Sequence, residues 1–156
     1  MEQKTVHLFV CDTLSDWEPS YVLPMLNDPT AGYRVQTVGV SREPIKTAIC
    51  GATAGLALAG LLDDRPHTSN AREYLQALGY RGEAFYQDQL VVTDGNLITA
   101  NATAPVDFAY HILNKLQVHS PRVLDAWYGL FTTRDQAYFF AWQQAAAEER
   151  AGGSHV

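Results

Sequence analysis

The sequence predicts an α/β domain with a mostly parallel, doubly wound sheet. Three observations lead there. Val6-His7-Leu8-Phe9-Val10 is a run of apolar and β-favouring residues suited to a strand covered on both faces. Residues 33–40 alternate at period two, as a strand does. A short strand over residues 45–50 then runs straight into a helix of small residues. Strand, helix, strand, strand-to-helix turn and helix follow one another as in a doubly wound sheet.

The remaining elements follow in order. After the first strand comes a polar loop, Asp12-Thr13-Leu14-Ser15-Asp16, in which Ser15 or Asp16 can cap a helix that starts with Trp17, Glu18 and Pro19. Residues 51–62 form the helix behind the third strand, and residues 71–78 a short helix ended by Gly79. Residues 89–93 and 97–100 are strands of a hairpin around Asp94-Gly95-Asn96. Residues 107–116 present Phe108, Ile112, Leu113 and Leu116 on one helical face. Residues 122–150 are helical, as two helices meeting near Thr132-Thr133, and strongly aromatic. The expected organisation is a single domain over residues 1–150 with a tail at 151–156.

Composition narrows the function classes. A net charge of −6 with no Lys/Arg run argues against nucleic acid and anionic membranes as partners. No apolar stretch approaches the length that spans a bilayer. Two cysteines, Cys11 and Cys50, do not make a disulfide scaffold, and the expected setting is a reducing, cytoplasmic one. No CxxC, HExxH or carboxylate cluster points to a metal, and neither a P-loop nor GxGxxG points to a nucleotide cofactor.

The chemistry concentrates at Ala48-Ile49-Cys50-Gly51-Ala52-Thr53. A cysteine between a strand and a helix is thrust out at the carboxyl edge of the sheet. The helix start behind it favours an anion. The backbone N–H groups of Gly51 and Ala52 can serve as oxyanion donors. The spacing is that of a nucleophile elbow with Cys in place of Ser; the bland alternative is a buried cysteine filling the core. Glu18 sits just after the first strand and its loop, at the same sheet edge. It can hold a thiolate or stabilise its own helix dipole. His67, in Arg65-Pro66-His67-Thr68-Ser69-Asn70, can return toward the cysteine as general base or acid, or stay a loop histidine beside capping residues. Cys11 reads as core packing.

These segments, together with Gly60-Leu61-Leu62-Asp63 and Val91–Ala100, resemble the ThiJ/PfpI family of the class I glutamine-amidotransferase-like superfamily. The resemblance implies a flavodoxin-like three-layer sandwich, a reactive cysteine at Cys50 and a carboxylate partner at Glu18. It also implies a homodimer, no cofactor, and a range of activities from amidase or peptidase to glyoxalase, chaperone and oxidative sensing. The expected function is thus a cysteine-dependent hydrolase or lyase acting on a small amide or carbonyl compound. The alternative is a non-enzymatic redox sensor or stress-response binding protein. The aromatic helices between Trp127 and Trp142 are the candidate for part of the dimer surface.

The chain departs from the family pattern in three ways. Gly51 stands where peptidase-like members carry His, which turns the expectation toward the amidotransferase-like branch. No His-x-Glu pair lies near the C-terminus. And the family's βα unit with a Pro-Gly-Gly turn, between the second strand and the elbow, is missing: residues 38–47 lead directly into Ala48. That join puts Lys46 and Thr47 in a central strand and leaves a connection shorter than the dozen residues a parallel crossover usually needs. Either a segment is excised between Thr47 and Ala48, which the good match of both flanks favours, or the sheet is rebuilt or completed by a partner.

Overall fold

A computed structural model describes residues 4–9, 19–26, 28, 31–38 and 45–152. The elements in chain order are β1 (Lys4–Phe9), α1 (Leu23–Leu26), β2 (Tyr33–Val38), β3 (Lys46–Ile49), α2 (Ala52–Leu58), α3 (Arg72–Gln76), a 3-10 turn (Glu83–Phe85), β4 (Val91–Asp94), β5 (Leu97–Ala100), α4 (Pro105–Leu116), α5 (Pro121–Thr133) and α6 (Gln136–Gly152). The five strands form one sheet in the order β2-β1-β3-β5-β4. The β2–β1, β1–β3 and β3–β5 pairings are parallel, and the β4–β5 hairpin is antiparallel. This is the expected α/β architecture with a mostly parallel sheet. The chain divides into two compact units, residues 1–111 and 112–156.

Register sets where the two ends of the short join before the elbow lie. β2 and β3 flank β1 on opposite sides, so two strand spacings of about 4.8 Å separate them. Val38, the end of β2, is level with Phe9, while Lys46, the start of β3, is level with His7. The chain therefore steps back by only two residues of β1, roughly 7 Å. Seven residues, 39–45, can reach over 20 Å or so when extended. Among the described residues, β3 pairs with β1 at His7–Lys46 and Leu8–Thr47 and with β5 at four positions. Thr47 is buried and Lys46 half-buried in this strand.

In the first unit, α2 ends earlier than periodicity predicts, at Leu58 rather than Leu62. The reason is a Schellman turn: Gly60 has φ +71°, the Leu61 N–H donates to Leu56 O (3.0 Å) and the Gly60 N–H to Ala57 O (3.0 Å). The turn sends Leu61 and Leu62 back onto the core. There Leu62 joins Ala48, Ala52, Leu56, Ala57, Leu75, Tyr86 and Leu97 in one buried cluster. Each fully buried leucine contributes about 1.5–3 kcal/mol, so this cluster holds α2 and α3 in place and fixes where the elbow sits. The hairpin turns at Gly95, φ +56°, as the Asp-Gly-Asn signal predicts. Arg65 anchors it, donating to the Asp94 carboxylate (2.7 Å) and to Asp94 O (2.9 Å).

The second unit contains the antiparallel α5–α6 hairpin. Arg134 caps α5 in the left-handed conformation, and the Asp135 carboxylate accepts from the Ala137 N–H (2.8 Å) to start α6. At the far end, Glu149 on α6 accepts from the Ser120 N–H and pairs with His119 (3.0 Å), closing the start of α5. Gly129 allows the helices to approach, since a Cβ there would lie 2.4 Å from the Tyr138 ring.

Candidate active site

The site is built at the carboxyl end of β3. Cys50 follows Ile49 and precedes α2, and its N–H is held by Ala100 O (3.1 Å) on β5. Its φ is +57°, a left-handed conformation that costs a non-glycine residue about 1–2 kcal/mol. Such strain persists only where the surroundings impose it, and here they do so visibly. The Thr53 N–H and the Thr53 hydroxyl both donate to Cys50 O (3.3 and 2.6 Å), so the turn is clamped from the helix side. Thr53 Oγ1 also shares a hydrogen bond of 2.6 Å with buried Ser69 Oγ. The Cys50 side chain is half-buried and not in a disulfide.

Gly51 and Ala52, the expected oxyanion donors, are both buried, and neither N–H has a hydrogen-bond partner among the described residues.

The loop between α2 and α3 supplies what composition did not reveal. Asn70 Nδ2 lies 3.5 Å from Cys50 Sγ and donates to it. Asn70 is placed by three bonds from the chain after β5: the Ala102 N–H donates to its Oδ1 (3.0 Å), and Asn101 Nδ2 donates to Asn70 O (3.0 Å) and Ser69 O (3.3 Å). Two residues before Asn70, the Thr68 N–H donates to Thr99 Oγ1 (2.9 Å), fastening the loop along β5.

His67 occupies a different place. It is fully buried, with Nδ1 against Arg65 O (2.8 Å) and Nε2 against Tyr80 OH (3.0 Å). Tyr80 and Tyr86 meet its ring edge-on at 5.4 and 5.7 Å. Desolvation pushes its pKa below the ordinary histidine value, with the Arg72 charge adding to this, although the Arg65 carbonyl and Asp63 oppose them. Both ring nitrogens are thus engaged within the fold. The loop brings Asn70, three residues on, to the sulfur. Glu18 and Cys11 lie outside the described residues. Among those described, no group of three or more His, Cys, Asp or Glu side chains is placed to hold a metal, and no helix is long and apolar enough to cross a membrane.

Residues 46–115, from the elbow strand to α4, match the model of the DJ-1/PfpI family. The uncharacterized protease YoaZ of Bacillus subtilis is 33% identical over 202 aligned positions, covering 90% of this chain and 96% of YoaZ. The chain belongs to the DJ-1/PfpI family. Those 202 positions exceed the 156 residues of the chain, so YoaZ carries sequence with no counterpart here. A second Bacillus subtilis relative, the uncharacterized protease YdeA, is 36% identical over 95 residues, covering 58% of this chain and 46% of YdeA. Among solved structures, a thiJ/pfpI family protein from Bacillus anthracis superposes with a TM-score of 0.75 at 27% identity, covering 92% of this chain and 96% of that one. A DJ-1 superfamily protein from Agrobacterium tumefaciens shares the fold, with a TM-score of 0.70 at 23% identity, covering 84% of this chain and 98% of that one. The fold of this DJ-1/PfpI member is accordingly flavodoxin-like α/β.

Proposed function

We propose that this DJ-1/PfpI protein is a cysteine-dependent hydrolase or lyase for a small amide or carbonyl compound, with Cys50 as nucleophile. The observation that carries the reading is the strained left-handed backbone of Cys50, clamped by Thr53 at a strand-to-helix turn. In this reading the thiolate sulfur adds to the substrate carbonyl carbon. The Gly51 and Ala52 N–H groups receive the developing oxyanion, and Asn70 Nδ2 steadies the sulfur. Glu18, in this reading, is the protonated carboxyl group whose hydrogen bond holds the thiolate. For an amide, the amine departs with a proton, and water cleaves the thioester to a carboxylate and the free thiol. The protease names of YoaZ and YdeA support amide-bond cleavage as the first reaction to assay.

A non-catalytic reading is favoured by one observation: both ring nitrogens of His67 are engaged elsewhere. Cys50 would then serve as an oxidation sensor or stress-response thiol, passing to the sulfinic acid with peroxide. A homodimer in the cytoplasm acting on a small molecule completes the proposal.

A panel of fluorogenic amides, esters and 2-oxoaldehydes assayed against wild type and Cys50→Ala tests the first reading. Turnover that disappears in the variant while its circular dichroism is unchanged supports it, and equal turnover in both proteins overturns it. A gain of two oxygen atoms on Cys50 under mild peroxide, without turnover, supports the second.

A further inference from the structure

Next to the elbow, a cavity of about 400 Å³ lies between α3 and the chain on either side of β4 and β5. Asn70 lines it and also donates to Cys50 Sγ, so the cavity borders the thiol through one side chain. Its size falls within the range of small-molecule pockets. We propose that it is the recognition pocket of the Cys50 site, and that it takes an amide-bearing ligand with a positively charged group. This rests on Cys50 being the reactive centre, as proposed above, and adds the substrate class.

The lining carries the argument. Gln89 presents an exposed side-chain amide with donors and an acceptor, the complement of a peptide-like amide, while the amides of Asn70 and Asn101 are held within the fold and shape the wall. Charge is supplied by Arg72, Glu73 and Asp88. The Arg72 guanidinium is already committed: it donates to Glu83 O (3.1 Å) and Tyr86 O (3.4 Å) and lies over the Tyr86 ring at 4.7 Å. Asp88 is tied to it only by a long 3.7 Å ion pair, with its side chain 80% exposed, so a ligand cation can replace that contact. Glu73 makes no ion pair among the described residues. Two carboxylates against one engaged guanidinium leave the pocket negative, which admits a cation and repels a carboxylate.

The test reads occupancy rather than turnover. Alkylation of Cys50 by iodoacetamide, mapped by mass spectrometry to separate it from Cys11, is timed with acetyl-glycyl-lysine amide or acetyl-glycyl-glutamate amide at millimolar concentration. The lysine peptide should slow alkylation at least threefold and the glutamate peptide should not. Glu73→Gln and Asp88→Asn, both substitutions of exposed side chains, should weaken that protection, read for each variant as the ratio of its rates with and without peptide. Equal protection by both peptides, no protection by either, or protection indifferent to both variants overturns the proposal. Protection without hydrolysis of any amide would remove the hydrolase reading and keep the pocket, whereas hydrolysis with no charge preference would do the reverse.

Discussion

Asn70 Nδ2 stands 3.5 Å from Cys50 Sγ, held there by bonds from Asn101 and Ala102 on the far side of the hairpin. A donor on sulfur favours the thiolate, and a carboxylate in the same place opposes it. Asn70→Asp keeps the oxygen that accepts the Ala102 N–H, so the loop should stay anchored. Its charge should raise the thiol pKa by about one unit, slowing alkylation of Cys50 near neutral pH roughly tenfold. The pH profile of iodoacetamide labelling measures this; an unchanged profile would remove Asn70 from the site.

The backbone of Cys50 should reveal its strain through substitution. Glycine adopts φ +57° freely and alanine does not. Cys50→Gly should therefore be more stable than Cys50→Ala by about 1 kcal/mol, or ~3 °C in melting temperature for a chain of this size. The opposite order in thermal denaturation would show an unstrained turn.

Thr53 clamps that turn from within α2. Thr53→Val removes the donor to Cys50 O and leaves buried Ser69 without its hydroxyl partner, at a cost of about 1–3 kcal/mol. Thr53→Ser should recover most of the loss. Urea unfolding of the pair checks whether the hydroxyl or the methyl matters.

Buried His67 should make the fold sensitive to mild acid. Its folded pKa is lowered by burial, so below about pH 6.5 the unfolded chain takes up a proton that the folded chain refuses. Stability present at pH 7 and above is then lost as pH falls from the unfolded-state value toward the folded one, at up to about 1.4 kcal/mol per pH unit. His67→Gln should start less stable and lose less between pH 7 and pH 5. Parallel slopes for the two proteins in that window would contradict the assignment.

The α5–α6 hairpin depends on the missing side chain of Gly129. Gly129→Ala places a methyl 2.4 Å from the Tyr138 ring and should cost about 1–3 kcal/mol, despite alanine's better helix propensity. Adding Tyr138→Ala should recover part of the loss, because the two changes share one contact. Strict additivity in the double variant would rule out the clash.

Much of the candidate site was legible in the sequence because it is local. A strand that ends in Cys-Gly-Ala-Thr, followed by small helical residues, specifies the β3–α2 turn within a few residues, and the structure sets Cys50 there in the left-handed conformation. The hairpin at Asp94-Gly95-Asn96 and the two C-terminal helices parting after Thr133 are local signals of the same kind. Their causes are backbone preference and periodicity, which a chain carries wherever it is placed.

What tertiary structure decided depends on which distant segments are brought together. His67 reads in the sequence as a general base or acid or as a loop histidine, and only the fold shows Tyr80 and Tyr86 enclosing it, with Arg65 O and Tyr80 OH taking its nitrogens. Asn70 reads as a loop residue, yet Asn101 and Ala102, more than thirty positions away, turn its amide to the sulfur. The short chain from β2 to β3 falls below the usual crossover length, and only the register shows that its ends lie two residues of β1 apart along the strands. A sequence lists which groups exist and what local shape they favour. Which donor meets which acceptor is settled only when strands pair in register and burial forces most polar groups to find a partner.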